Sequence, residues 1–414
     1  MDFTPGEAET EVAKLAGQIL ARTASPAAAG RPGPAPSAHG PPFPGAADFD
    51  TVAWKELAEA GLLSVALPPE LGGDGLGVQA TAAVLTEAGR YATRIPALAT
   101  LALGVLPVAR STDPGLRRQL LDGVAAGDTV LTAALREPSD PLPDRPGTTV
   151  STSVSTTVGA TVGATVGTTV GATVSTTVSR VGSHRPLTVS GRKLGVPYAA
   201  AARWILVPAS LDSGGEATST VVAVVEPDAD GLSCQRTRSS SGLPEYTLWL
   251  EQTPVFGILA GCTATDLSRL AIAGACAVAD GALAAALDLT TEHVRRREQF
   301  GRPLATFQAV AQQIADVYAA ARTLHLATIS VCWQLDAGRD AGKDADVAAY
   351  WLAEHGPAAL RTCHHLHGGL GMDVTYPLPR YSALLTDLVA LVGGADDRLD
   401  RLSRRELMTA GDGA

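Results

Sequence analysis

The sequence predicts a multidomain α+β protein, with a helical N-terminal domain, a middle domain of short strands and a C-terminal helix bundle. Three observations predict it. The chain has 414 residues, long for a single hydrophobic core. Apolar residues recur at helical spacing on both sides of its centre. Between them, residues 186–255 run as short β-type segments separated by Gly, Pro, Asp and Ser.

Taken in order, residues 5–23 and 51–126 carry the helical period, as in Trp54, Leu57, Ala58 and Leu62 and again in Ala83, Val84, Leu85 and Ala88. Residues 25–47 are rich in proline, glycine and alanine and read as a loop or linker. From Val150 to Val178, valine returns at every fourth position, usually after a threonine. Valine, threonine and glycine are poor helix formers, and a strand would place every valine on one face. An adhesive or solenoid segment would need recognition groups. This stretch has no aromatic and no charge, so residues 148–180 read as a low-complexity insertion in a surface loop. The β-type runs are Leu187–Ser190, Trp204–Val207, Thr218–Val225 and Thr247–Glu251. From residue 264 onward, four or five long segments carry apolar stripes. The expected divisions are 1–128, 129–256 and 257–414.

Composition excludes several roles. At 46% hydrophobic and 18% charged the chain is globular, and a net charge of −10 argues against a nucleic-acid partner. No apolar run reaches the roughly 18 residues of a membrane span. The start, Met1-Asp-Phe-Thr-Pro-Gly-Glu, lacks the basic and apolar regions of a secretion signal. Cys234, Cys262, Cys276, Cys332 and Cys363 are odd in number and lack C-x-x-C spacing, so a reducing, cytoplasmic location is expected. His364, His365 and His367 follow one another too closely on a helix to converge on one ion, so no metal site is expected.

The chemistry concentrates in two places. At residues 295–308, three arginines (Arg295, Arg296, Arg297) precede Gln299, Phe300, Gly301 and Pro303, and then Phe307 and Gln308 open a second helix. Guanidinium groups bind phosphate oxygens in a fixed fork, which suits a diphosphate, although a solvated helix end would use the same residues. About 60 residues on, His365-Leu-His-Gly-Gly-Leu-Gly371 is followed by Tyr376-Pro377 and Arg380. Such a glycine loop either lets backbone amides approach a ligand or caps a helix.

Together these residues resemble the C-terminal domain of the FAD-dependent acyl-CoA dehydrogenase family, and the resemblance covers most of the chain. The family pattern there is Arg-x-Gln-Phe-Gly, then Phe-Gln, then Gln-x-x-Gly-Gly-x-Gly, then Tyr-Pro-x-x-Arg. Trp54 through Gly77 is similar to its N-terminal signature, a helix ending at a Pro-Glu-x-Gly-Gly-x-Gly loop. Glu87–Arg90 is similar to the Glu-x-Gly-Arg that follows. Leu135–Asp140 looks like a shortened Thr-Glu-Pro motif, and Ser190–Lys193 with Ala202–Val207 like the family's strand pair. The resemblance implies an N-terminal α-helical domain, a middle β-barrel domain and a C-terminal four-helix bundle. It also implies FAD bound by Arg297, Gln299, Phe300 and Gln308, together with His365, which stands at the family's glutamine, and Gly368, Gly369 and Gly371. An acyl-CoA substrate, an electron-transfer flavoprotein-type acceptor and a homo- or hetero-oligomer are implied with it.

One part is missing. The family removes the substrate α-proton with a glutamate, and the two positions that carry it in different members here hold Val392 and Ala271. Ser268 or Asp266 match only with a shift of one turn, and Asp396 and Asp397 read as solvated residues capping the last helix. The usual Trp-x-Thr is Gly195-Val196-Pro197. The segment from Gly393 resembles a subgroup in which two different dehydrogenase-like chains pair, one lacking the base. The expected function is therefore FAD-dependent α,β-dehydrogenation of an acyl-CoA thioester as one chain of a hetero-oligomer. The alternatives are a silent subunit that completes a partner's FAD site, and a repurposed fold without redox activity.

Overall fold

Why the chain splits into helical and β parts is visible in how each element buries its apolar residues. The computed structural model describes residues 6–23, 49–138, 140–152, 187–211 and 219–411. The predicted linker at 25–47 and the valine repeat beyond Thr152 lie outside the described residues.

Helix α1 (Glu7–Thr23) buries Ala16, Ile19 and Leu20, a spacing that puts all three on one face. Helix α2 (Thr51–Glu59) is capped by Asp50, whose carboxylate accepts from the amides of Val52 and Ala53. It buries Trp54, whose indole N–H donates to the Gly127 carbonyl at 3.0 Å. Helix α3 (Val78–Arg90) follows the Gly72-Gly73 loop. A π-helical turn, Leu98–Val105, then runs into the short α4 (Leu106–Ala109), and Asp113 caps α5 (Pro114–Leu121).

The middle sheet has eight strands: β1 Leu131–Ala133, β2 Thr149–Thr152, β3 Leu187–Pro197, β4 Trp204–Leu211, β5 Ser219–Val225, β6 Leu232–Thr237, β7 Glu245–Pro254 and β8 Gly257–Ile258. Their order is β6-β7-β3-β2-β4-β5-β8, with β1 parallel to β4. Val150, Val189, Ile205, Val207, Val225 and Leu248 form its core. Val150 corrects one expectation. The first valine of the repeat is not in a surface loop: it is fully buried, in a strand paired with β3 at Val189.

Among the described residues, five helices follow: α6 (Ala264–Arg296), α7 (Gln308–Asp336), α8 (Gly342–His367), α9 (Leu378–Val392) and α10 (Ala395–Gly411). Thr263 and Asp266 close a capping box at the start of α6. By length and composition α6 could cross a membrane, which corrects the reading that nothing in the chain is apolar enough. However, 83% of its apolar stretch is buried inside the protein, as in a core helix. Two glycines let α3 and α6 cross with their backbones in contact. A Cβ at Gly89 would lie 1.9 Å from the Val278 carbonyl oxygen, and one at Gly281 would lie 1.8 Å from that of Thr86. A second tie crosses between the same parts. Gly77, at the N-cap of α3, has no side chain to offer, and Asp336 at the end of α7 accepts from the amides of Val78 (2.5 Å) and Gln79 (2.9 Å).

Candidate functional site

At the end of α6 the backbone turns sharply. The Arg297 amide donates to the His293 carbonyl at 2.8 Å, and Gln299 pairs with Arg302 across a two-residue turn. Both turn residues, Phe300 (φ 54°) and Gly301 (φ 76°), are left-handed, which a hairpin of this length requires and which strains a phenylalanine. Phe300 is nonetheless 91% exposed. Within the chain its ring meets only the edge of Phe307, with centroids 6.1 Å apart, among the described residues. Gln299 and Gln308 are also exposed.

At the end of α8 three histidines take different roles. His364 donates from Nδ1 to the Gly371 carbonyl (2.8 Å) and accepts at Nε2 from the Ser382 hydroxyl (2.6 Å), which ties the following 3-10 turn, Gly368–Met372, to α9. His365 is exposed. His367 is buried and donates from Nδ1 to the Cys363 carbonyl at 2.9 Å, leaving Nε2 without a partner. A Cβ at Gly368 or Gly369 would meet nothing within 4 Å, so the backbone here borders open space, while the Gly368 amide itself donates to the His365 carbonyl as the cap of α8. Gly371 is buried against His364.

These two helix ends meet around a cavity of about 850 Å³. Of the sequence-predicted residues, the structure brings Arg297, His365, Gly368 and Gly369 together in its wall; Gln299, Phe300, Gln308 and Gly371 are outside the lining. His293, His367 and Glu292 were missed. The two imidazoles stack with centroids 4.4 Å apart, and Tyr376 lies 5.3 Å from the second. Burial, and then the Arg297 charge, hold His293 below the usual histidine value. Burial does the same for His367, assisted by His293 and His364 against the Cys363 hydrogen bond. Arg296 pairs with Glu292 at 2.6 Å, whereas among the described residues no carboxylate pairs with Arg297. Leu370, Met372 and Val374, all exposed, continue the apolar surface along the neighbouring turn.

The base side of the fold is different. Val392 and Ala271 are both fully buried. Ser268 and Ile272 border a cavity of only about 20 Å³, closed by Arg269, Arg398, Arg401, Arg405 and Asp346. Arg398 reaches Asp346 at 3.1 Å, and its Nη2 lies 3.2 Å from Asp397 without hydrogen-bond geometry. Arg401 holds Asp140, Asp144 and Asp397. Asp397 is thus an ion-pair partner and not the solvated cap its position suggests, while Asp396 is exposed. Asp266 is spent on its capping box.

The middle domain's flavin-side motifs are also occupied by the protein itself. Glu137, of the shortened Thr-Glu-Pro motif, accepts from Lys193 Nζ (2.7 Å), the Thr148 amide and hydroxyl, and the Gly147 amide. Over Gly195 (φ 57°), Arg136 Nη1 and Glu245 Oε2 would lie 2.8 and 3.5 Å from a Cβ. Burial, and then the carboxylate of Asp387, push Glu245 up to about 7, against the pull of Arg136.

Tested against these residues, a dinucleotide fits the helix-end cavity. Side-chain-free backbone at Gly368 and Gly369, an arginine with no carboxylate partner among the described residues, and two imidazoles line it. The middle-domain face offers less, since Glu137 and Lys193 there are already paired with each other. Among the described residues no group of three or more His, Cys, Asp or Glu is placed to hold a metal ion.

Comparison with known proteins gives a consistent assignment. The family described as acyl-CoA dehydrogenase, C-terminal domain, matches residues 257–403, and its N-terminal domain matches residues 42–128. The acyl-CoA dehydrogenase FadE28 of Mycobacterium tuberculosis is 41% identical over 360 residues, 86% of this chain and 93% of that protein. Among solved structures, a variant of the Tcur3481-Tcur3483 steroid ACAD is 31% identical with a TM-score of 0.80, covering 99% of this chain and 100% of that one. The ChsE4-ChsE5 complex from M. tuberculosis is 27% identical with a TM-score of 0.81, covering 98% of this chain and 99% of that one.

Proposed function

Because this chain belongs to the acyl-CoA dehydrogenase family, we propose that it is one subunit of a hetero-oligomeric, FAD-dependent acyl-CoA dehydrogenase. In that assembly it lends its helix-end cavity to an FAD site and leaves proton abstraction to a different dehydrogenase-like chain. FAD, when bound, supplies the acceptor for the hydride that leaves the acyl β-carbon. Arg297 contributes a fork for the diphosphate, Gly368 and Gly369 leave room for the ligand to approach the backbone, and Phe300 with Met372 and Val374 offers apolar surface to the partner. Two of the similar structures carry paired chain names, which supports the pairing. The steroid class of the first makes a steroid-derived thioester the first acyl-CoA to assay. We also propose the domain divisions 1–128, 129–256 and 257–414, a cytoplasmic location and an electron-transfer flavoprotein-type acceptor.

One observation carries this reading: an arginine-rimmed cavity at the helix ends coexists with fully buried apolar residues, Val392 and Ala271, at both base positions. The same observation favours a second reading, a catalytically silent subunit that only completes the partner's site. The test is to purify the assembly through a tag on this chain, record its flavin spectrum and assay acyl-CoA-dependent dye reduction. Bound flavin and turnover that vanish when the partner's glutamate is changed to glutamine support the proposal. Turnover by this chain alone would overturn it, and absence of flavin would leave a fold used without redox chemistry. Flavin-loaded assembly whose turnover is indifferent to Arg297→Ala would take this chain's helix-end cavity out of the flavin site.

A further inference from the structure

Resting on that reading of the cavity, we propose that His293, backed by His367, is a further diphosphate-binding residue of the site. It acts as an imidazolium whose proton is taken up together with the ligand.

The geometry argues for it. His293 lies one turn before Arg297 on α6, in the wall of the same cavity, and among the described residues no hydrogen bond reaches its ring. It is stacked on His367 at 4.4 Å, and the carbonyl of Cys363 fixes the neutral tautomer of His367 because a carbonyl only accepts. Nε2 of His367 is then a buried lone pair with no donor, an arrangement that costs free energy as it stands. His367, buried and held in that tautomer, stays neutral, so the added proton resides on His293.

Charge decides when this happens. In the free protein burial, and then the Arg297 charge, keep a proton off His293, while burial, and then His293 and His364 against the Cys363 hydrogen bond, keep one off His367. A diphosphate neutralises Arg297 and replaces repulsion by attraction, so the proton affinity of the pair rises on binding. The C-terminal end of α6 favours a cation at the same place. The other groups facing the cavity do not supply this linkage. Glu292 is paired with Arg296, and His364 has both nitrogens engaged. Tyr376 is pushed up by burial and by Glu292, away from the neutral range. His365 is exposed in the same lining, and its own substitution separates its contribution from that of His293.

The test uses the assembly isolated through this chain, stripped of flavin and titrated with FAD at pH 6 and pH 8. FAD suits the purpose because its bridging diphosphate neither gains nor loses a proton across that range. Binding should be about three- to tenfold tighter at pH 6, within the tenfold per pH unit that one linked proton allows. Calorimetry in buffers of different ionisation enthalpy should register net proton uptake by the unmodified protein. His293→Gln should bind equally at both pH values, whereas His365→Gln should keep the difference. A flat pH dependence, or a difference that survives His293→Gln, overturns the inference. Arg297→Ala binding as tightly as the unmodified protein at both pH values would instead overturn the flavin reading of the cavity.

Discussion

Arg398 Nε donates to the carbonyl of Val392 at 2.5 Å while Nη1 reaches the carboxylate of Asp346 at 3.1 Å, and all three residues are buried. An arginine therefore holds the loop on which the family's glutamate would stand. Installing that glutamate should not create an active site. In Val392→Glu a carboxylate would be forced into packed interior beside a cavity with room for about one water. The expected outcome is a less stable chain with no acyl-CoA turnover by itself. Dye reduction by V392E alone, with any acyl-CoA, would show that the base side opens.

The same pair predicts a stability effect. Arg398→Met strands part of the buried Asp346 charge, and breaking such a pair costs about 3–5 kcal/mol. Arg405 still reaches Asp346 at 2.7 Å, so the loss should fall at the lower end. Arg398→Met combined with Asp346→Leu should recover most of it. Urea denaturation measures both variants, and an additive loss in the double variant contradicts the pairing.

How much of this was legible beforehand differs by element. The long helices were, because α6 to α9 repeat apolar residues at 3.6 spacing. The strands β3, β4, β5 and β7 were, because they are β-branched runs. Strand β6 was not: Leu232-Ser-Cys-Gln-Arg-Thr237 is an edge strand, mostly exposed, with no apolar alternation to detect. Strand β2 was hidden by its own repeat, since Val150 reads like the valines that follow it. Arg297, His365 and Gly368-Gly369 were legible through spacing, but His293 and His367 became visible only when two helix ends about 70 residues apart were brought together. The ion pairs of Arg398 and Lys193 also join segments distant in sequence, and no local pattern announces them.

The burial of Val150 has a consequence for truncation. Removing residues 153–180 takes away repeat while leaving β2 and β3 whole, and loop length changes stability only slowly, by about 0.6 kcal/mol per doubling. Thermal unfolding should shift by no more than a few degrees. Extending the deletion back to Thr149 removes Val150 and its pairing with both β3 and β4, and should destabilise the middle sheet severely. Equal melting temperatures for the two deletions would contradict the placement of β2.

Two carboxylates in the middle domain should oppose each other in pH dependence. For Glu137, burial pulls up, but Lys193 and the Thr148 hydrogen bonds outweigh it, so its folded value lies below the usual 4.5. Its contribution is complete above the unfolded value and is lost as pH falls through the folded one. Lys193→Met should abolish that contribution and cost about 3–5 kcal/mol at pH 7, because it leaves Glu137 buried and unpaired. Chemical denaturation at pH 7 and pH 4 separates the effects.

Glu245 runs the other way. Its folded value of about 7 exceeds its ordinary 4.5, so it stabilises the fold fully below the unfolded value and loses that contribution as pH rises through 7. Glu245→Gln should therefore stabilise the protein by ~1–2 kcal/mol at pH 8, after discounting for the solvent that reaches this side chain, and leave it unchanged at pH 4. Asp387, which raises Glu245, is itself held by the amides of Ser240 and Ser241, so the effect belongs to the joint between the β6–β7 loop and α9. A stability gain equal at both pH values would point to packing instead of charge.

The last prediction concerns the cofactor. Arg297 is exposed and, among the described residues, lacks a carboxylate partner, so removing it sacrifices no internal ion pair. Arg297→Ala should leave the melting temperature of the flavin-free chain within a degree or two of the unmodified one. Its charge-assisted contact with the diphosphate is worth roughly 1.5–3 kcal/mol, or about ten- to a hundredfold in FAD affinity. Arg297→Lys should recover only part of this, because a point charge replaces a fork. Arg296→Ala should cost less, since that side chain already spends its charge on Glu292. Flavin retained per assembly after dialysis is the measurement. Equal retention by all three variants would remove the helix-end cavity from the flavin site.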